Sequence, residues 1–426
     1  MRMARLAIGG GSPVWREAWP LWPQHDARTS ERVIAALGSG RWTVSGGWTG
    51  TQPYEQVFAR RFAEFVEVPY CVSTDHGSSS LMIALEALGV GAGDEVIVPV
   101  LTWVATATAV LNVNAVPVFV DVDPETGCLD PRALSAAVTA RTRAVIVVHL
   151  HCRMADMDEI GALATQHGLP VIEDCAQAHG ARWAGRPAGS LGDVGAFSMQ
   201  QGKVLTCGEG GAVVTKDAAL YDRLQQLRAD ARRYPAAEPD IGYPYLVEAG
   251  EVMGTNHCLA ELPAALLLDQ LERLPQQLLQ RARAAELLDT ELAGVAGVRP
   301  TAWPARLELP SIFAYTVRRD PDAFAGAPTE RVCAALAAEL GLRVYRSDRP
   351  LHDNILYCPQ TKERYRWLHD RLRAAAQQRF PAAEALYENL ILLPHRALLS
   401  EPAGLEAIVA AFHKVATHAD ELRAAD

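Results

Sequence analysis

The 426-residue chain is predicted to be an α/β protein: a large domain with a mainly parallel sheet, plus a smaller α+β C-terminal domain. Three observations predict it. The length exceeds one small core and suits two domains. From Tyr70 to Thr215, short apolar runs alternate with helical patterns, the signature of strand–helix–strand units. Several of the runs, such as EVIVP at Glu95–Pro99, are nearly unbroken in Val and Ile, as strands buried on both faces must be.

The first 52 residues carry Trp15, Trp19, Trp22, Trp42 and Trp48 among glycines and prolines. That composition excludes one continuous helix and predicts an ordered arm, with a short helix over Ser30–Leu37, of the kind that packs on a partner subunit. From Tyr54, the aromatics Phe58, Phe62 and Phe65 follow the spacing of an amphipathic helix. A strand at Tyr70–Ser73 leads through Asp75, His76, Gly77 and Ser78 into a helix with Leu81, Leu85 and Leu88 on one face, closed by Gly89.

The alternation continues with strand Glu95–Pro99, a helix from about Trp103, strand Val116–Val120, and a helix opened by Asp130 and Pro131. Strand Ala144–Val148, helix Asp156–His167 and strand Pro170–Glu173 follow, then strand Ala212–Thr215 and a helix near Ala218–Ala229. Arg232–Gly254 is broken by Pro235, Pro239 and Pro244 and reads as a long functional loop. A helical pattern over Leu262–Leu292 is interrupted by Pro275 and leads out of the large domain. Beyond it come an alternating segment near Ile312–Val317, a helix at Thr329–Leu340 and a closing helix from about Glu406. The expected division is an arm at 1–52, a large domain at 53–290 and a small domain at 291–426.

Composition narrows the function. No apolar run approaches the roughly 20 residues of a membrane helix, and the early apolar stretch is cut by glycines and proline before it makes a secretory core. A cytoplasmic protein without a membrane partner is expected. The net charge of −10, with arginines scattered among acids, argues against a nucleic-acid partner. The eight cysteines form no CxxC pair and have no histidine at metal-ligand spacing, so reduced thiols and no metal are expected.

Ligands of such sheets bind beyond the carboxyl ends of the strands, which directs attention to the turns after Ser73, Pro99, Glu173 and Phe197. The stretch Leu169–Thr215 brings Asp174 at a strand end, Lys203 in a short turn between apolar residues, and Ser198 between them. A carboxylate, an amine and a phosphate-binding hydroxyl are what pyridoxal phosphate requires. Its aldehyde takes a lysine as a Schiff base, and its ring nitrogen needs a carboxylate to stay protonated. Taken singly, each has an ordinary explanation: an aspartate capping a turn, a surface lysine, and, at Gly77 and Ser78, a common helix cap. The combination carries the case.

The segments EDCAQAHGA (Glu173–Ala181), FSMQQGKVLTCGEGGA (Phe197–Ala212), GDEVIVPVLTWVATATAV (Gly93–Val110) and MGTNHCLAEL (Met253–Leu262) resemble the fold-type-I, pyridoxal-phosphate-dependent aminotransferases of the DegT/DnrJ family. The resemblance implies that Lys203 is the Schiff-base lysine and Asp174 the partner of the pyridine nitrogen, with Gln177 beside the ring's phenolic oxygen. It further implies Ser198, Gly77 and Ser78 as phosphate ligands, Trp103 as the stacking aromatic, and Asn256 as a phosphate ligand donated by the neighbouring subunit of a homodimer with shared active sites. His76 stands where the family commonly has Asn, and Pro263 where many members have Gln. His149, His151, Gln200 and Gln201 are candidate substrate contacts.

The opening LAIGGGSPV with WPLWP, and PLHDNILYCPQTKERYR in the C-terminal part, look most like the glutamine-dependent aminotransferases of aminocyclitol antibiotic pathways. This implies L-glutamine as amino donor and, as acceptor, a keto-cyclitol of the 2-deoxy-scyllo-inosose or scyllo-inosose type. A nucleotide-linked keto-sugar, an aromatising enzyme of amino-shikimate type and a cofactor-binding regulator without turnover are the alternatives.

Overall fold

A computed structural model describes residues 5–423. The apolar runs assemble into a seven-stranded sheet in the order Tyr70–Thr74, Gly211–Thr215, Val194–Ser198, Val171–Asp174, Thr142–Val148, Glu95–Pro99, Val116–Val120. Pairing is parallel from Val194–Ser198 outward to Val116–Val120. Gly211–Thr215 alone runs against the rest, between Val194–Ser198 and Tyr70–Thr74. The sheet is therefore mainly parallel, as its Val and Ile content requires, and all five residues of Glu95–Pro99 are buried.

Cap chemistry starts the covering helices. Asp130 accepts from the Arg132 N–H with Pro131 in the first turn, and Asp156 accepts from Asp158 and Glu159. The helix after Glu95–Pro99 starts at Ala105 rather than at Trp103. Trp103 thus stays on the turn. The first helix is longer than its apolar spacing suggests, Ala27–Gly38, because Asp26 and Thr29 close a capping box ahead of it.

Pro275 does not interrupt its helix: Glu261–Leu292 is continuous over 32 residues. A proline inside a helix forfeits a hydrogen bond and costs roughly 3 kcal/mol. Leu271, Leu274 and Leu278 around it are buried in the main core, and that packing outweighs the loss. Further along, Ala284, Ala285, Leu288 and Leu292 enter a second core. One helix therefore serves both.

The second core covers a four-stranded antiparallel sheet in the order Val298–Pro300, Ala314–Arg319, Leu390–Pro394, Tyr345–Arg346. Helices Thr329–Leu340 and Pro402–Thr417 pack on it, the latter starting ahead of Glu406 on a proline in its first turn. The arm is tied to its own chain. Leu6 and Trp19 enter the second core, and Trp48 stacks on Tyr245 of the 232–254 segment with ring centroids 5.0 Å apart. That segment is irregular apart from a two-residue pairing of Arg232–Arg233 with Val247–Glu248. No helix among the described residues is long and apolar enough to cross a membrane.

Candidate active site

The parallel strands end on one edge of the sheet, and a cavity of about 470 Å³ opens there. Asp174, the last residue of its strand, is buried. One carboxylate oxygen accepts from Thr106 Oγ1 at 2.9 Å and the other from the Ala176 N–H at 3.2 Å. Burial raises its carboxyl above the ordinary range, while those hydrogen bonds and the charge of Lys203 pull the other way.

Lys203 faces the same cavity from the connection between the antiparallel strands Val194–Ser198 and Gly211–Thr215. Its N–H donates to the Gln200 carbonyl at 2.8 Å, which sets the turn. The half-buried side chain carries its amine 4.6 Å from the centre of the Phe313 ring. Burial lowers the amine below its ordinary range, opposed by the carboxylates of Asp174 and Asp348. An amine easier to deprotonate than a surface lysine is the one that can act as nucleophile and base.

A third group closes the arrangement. Helix Gly77–Ala87 points its N-terminus at the cavity, and His76 gives it no side-chain cap. The imidazole turns instead to Glu209, 3.1 Å away. The first N–H groups of the helix are left for an anion. Gly77 is required by space, since a Cβ there would lie 2.5 Å from that of Ser198. Ser198 Oγ, engaged by the Gln200 N–H at only 3.4 Å, borders the same cradle together with Ser78.

Gln177 and Trp103 also line the cavity, Trp103 half-exposed. The Gln177 carbonyl oxygen accepts from the His151 N–H at 2.6 Å, which leaves its N–H₂ end as the donor. His151 lines the cavity too, with Nε2 3.2 Å from Ser347 Oγ. Burial, with Arg153 and Lys203 nearby, pushes its imidazole down to about 3. It is a neutral hydrogen-bonding group.

Of the other expected substrate contacts, Gln200 borders the cavity, whereas His149 and Gln201 do not line it. His149 is wholly buried, with Nε2 3.0 Å from Glu173 and Nδ1 accepting from the Ala155 N–H at 3.3 Å. Both ring nitrogens are engaged in the core, so it meets no substrate. Gln201 lies outside the cavity lining, exposed on the turn, its backbone bonded to Gly208 and Trp22. Gln200 borders the cavity, but its side-chain oxygen accepts from the Gly202 N–H at 2.7 Å and folds onto its own turn. Asn256 is exposed and outside its own chain's cavity, its Oδ1 accepting from the Cys258 N–H at 3.2 Å.

His149, Glu173 and Cys175 set ligand-type atoms within 4.8 Å of one another. Glu173 spends its oxygens on the N–H groups of Gly189, Leu191 and Gly192 as well as on His149. Burial and the neighbouring Glu173 and Asp174 hold the Cys175 thiol well above its ordinary range, in the protonated form. The cluster ties a loop to a strand.

The C-terminal part adds cavity residues that no motif announces. Phe313, Arg343, Tyr345 and Asp348 come from the C-terminal sheet and its loops, where RVYRSDRP carries only turn signals. The fixing of Asp174 by Thr106 had a faint signal, a hydroxyl one turn beyond Trp103.

The chain is similar to known proteins along almost its whole length. The model of the DegT/DnrJ/EryC1/StrS aminotransferase family matches residues 24–413. An L-glutamine:2-deoxy-scyllo-inosose aminotransferase of Streptoalloteichus tenebrarius is 48% identical, covering 98% of this chain and 99% of that protein. An L-glutamine:scyllo-inosose aminotransferase of Streptomyces griseus is 46% identical over 98% of this chain and 99% of its own. Among solved structures, that of 3-amino-5-hydroxybenzoic acid synthase superimposes with a TM-score of 0.80 at 30% identity, covering 94% of this chain and 99% of that one.

Proposed function

The chain belongs to the DegT/DnrJ/EryC1/StrS aminotransferase family and is an aminotransferase, and from that premise we propose that it carries pyridoxal phosphate on Lys203 and transfers the amino group of L-glutamine to a keto-cyclitol. The acceptor is of the 2-deoxy-scyllo-inosose or scyllo-inosose type, as in the names of relatives 46–48% identical, and the setting is aminoglycoside antibiotic biosynthesis. One observation carries the reading. A partly desolvated amine, a buried carboxylate and an uncapped helix N-terminus converge on one cavity.

These residues fit the cofactor. Gly77, Ser78 and Ser198 would hold its phosphate, Asp174 its ring nitrogen, Gln177 its phenolic oxygen and Trp103 its ring face. When bound, pyridoxal phosphate supplies an electrophilic carbon for amines and a protonated ring that takes up the electron pair released at the donor's α-carbon.

The chain's own groups do the rest. Lys203 Nζ, set free when the amine of glutamine takes its place and with its charged form disfavoured by burial, would take the proton from the α-carbon of glutamine. In the second stage the same amine delivers a proton to the ring carbon of the acceptor that gains nitrogen. Thr106 and the Ala176 N–H hold both oxygens of Asp174, so its charge keeps one position through both stages. Keto acid leaves before the ketone enters, and ping-pong kinetics follow.

Asn256 lies outside the cavity of its own chain, and it serves the cavity of a partner in a homodimer. Ile241, Tyr243 and Met253, exposed on the neighbouring segment, supply apolar surface for that contact. The eight cysteines are free, in keeping with a cytoplasmic enzyme.

The test has two parts. Borohydride reduction of the loaded protein followed by peptide mass analysis should find the cofactor on Lys203. Incubation with glutamine and a panel of keto-cyclitols, nucleotide-linked keto-sugars and amino-shikimate-type rings should then give an aminated cyclitol by mass. Amination of the nucleotide-linked sugar alone, or an aromatic product, would replace this acceptor assignment.

A further inference from the structure

Two anchors fix the segment that follows the Tyr345–Arg346 strand. Ser347 Oγ lies 3.2 Å from His151 Nε2, and the Leu351 N–H donates to the Val100 carbonyl at 2.7 Å. Asp348 sits between them, half-buried, on the wall of the cavity that Lys203 faces. Its carboxylate has no hydrogen bond or ion pair to a described residue. Burial raises the carboxyl, and the charges of Lys203 and Arg343 oppose that rise. An acceptor held in a site without a partner of its own is at a cost until a ligand or water brings donors to it.

We propose that Asp348 selects substrates by charge, accepting hydrogen bonds from the hydroxyls of a neutral polyhydroxylated ring and from the carboxamide of glutamine, and repelling ligands that bring a carboxylate or phosphate to the same place. The proposal deepens the glutamine-to-ring reading and rests on it. Hydroxyl and carboxamide groups donate hydrogens. Carboxylate and phosphate groups present oxygens of like charge, which Asp348 repels in a restricted site. Arg343, on the same wall with its guanidinium 4.8 Å from the Tyr345 ring centre, remains for the α-carboxylate that every amino-acid donor carries. Fixed on both flanks, Asp348 cannot readily swing aside for the wrong ligand. Glutamate is therefore excluded by its side chain alone.

The experiment is the first half-reaction of the cofactor-loaded protein, followed as loss of visible absorbance with glutamine and with glutamate. The unsubstituted protein should prefer glutamine. In Asp348→Asn the preference should fall about tenfold, chiefly because glutamate reacts faster, with the cofactor still attached to Lys203; Asp348→Glu should keep it. A glutamine-to-glutamate ratio unchanged in Asp348→Asn overturns the proposal. A second measurement needs no variant: myo-inositol should compete with glutamine at least about tenfold better than inositol monophosphate does. Equal competition overturns it as well. If the loaded, unsubstituted protein reacts with neither amino acid, the glutamine reading itself fails and the selectivity proposal falls with it.

Discussion

Lys203 and Asp174 occupy environments that disfavour their charged forms, and this has a sign that can be measured on the cofactor-free protein. The folded-state value of Lys203 is depressed from 10.5, so the unfolded chain binds its proton more readily. The residue therefore weakens the fold below its folded value, and the penalty fades as pH rises toward 10.5. Asp174 is raised from 3.8, so its contribution is intact below 3.8 and is lost as pH rises through its folded value. Lys203→Met and Asp174→Asn should each raise the melting temperature of the cofactor-free protein at neutral pH while abolishing transfer. Thermal denaturation across pH checks this, and a fall in melting temperature would contradict it. At Gly77 the issue is space: an alanine must push the helix start away from Ser198. Gly77→Ala should weaken cofactor affinity at least about tenfold, with a near-normal far-ultraviolet spectrum; an unchanged affinity, read by titration, would remove the cradle from the account.

At the scale of elements, Glu173 shows why neighbouring residues of one motif can have opposite duties. Its side chain gathers three loop N–H groups and His149 in the interior, whereas Asp174 beside it turns to the cavity. Removing such a carboxylate leaves buried donors unpaired, so Glu173→Ala should cost roughly 3–5 kcal/mol of stability by denaturant unfolding. A loss within error of zero would mean that water replaces it. The strand–helix order was legible because burial on both faces leaves a continuous apolar signature, and Asp130 announced its helix as a cap, whereas Asp156, read as the first helical residue, proves to be the cap of Met157–His167. Pro275 misled because the local cost of proline is visible in sequence, whereas the two cores that hold its helix together are not. His149 misled likewise, since a histidine after a strand faces either way and its partner lies 24 residues on.

The whole molecule is needed to complete the site. Phe313, Arg343, Tyr345 and Asp348 reach the cavity from a sheet formed more than a hundred residues after Asp174, and no local pattern reports such convergence. Asn256 is the complementary case: a residue that resemblance assigns to a shared site and that lies outside its own chain's cavity. Sedimentation should give twice the 46.1 kDa chain mass, and Met253→Glu, at an apolar side chain 91% exposed, should shift the protein toward monomer and weaken cofactor binding together. A monomer of full activity would refute the shared site.

Passage of nitrogen from glutamine to a keto-cyclitol through one lysine-anchored cofactor can be followed in a single absorbance titration of the loaded protein. Glutamine alone should bleach the visible band in one turnover, and subsequent scyllo-inosose or 2-deoxy-scyllo-inosose should restore it in proportion to aminated product. A band that glutamine leaves untouched would rule out glutamine as the donor, and one that only a nucleotide-linked keto-sugar restores would rule out a keto-cyclitol as the acceptor.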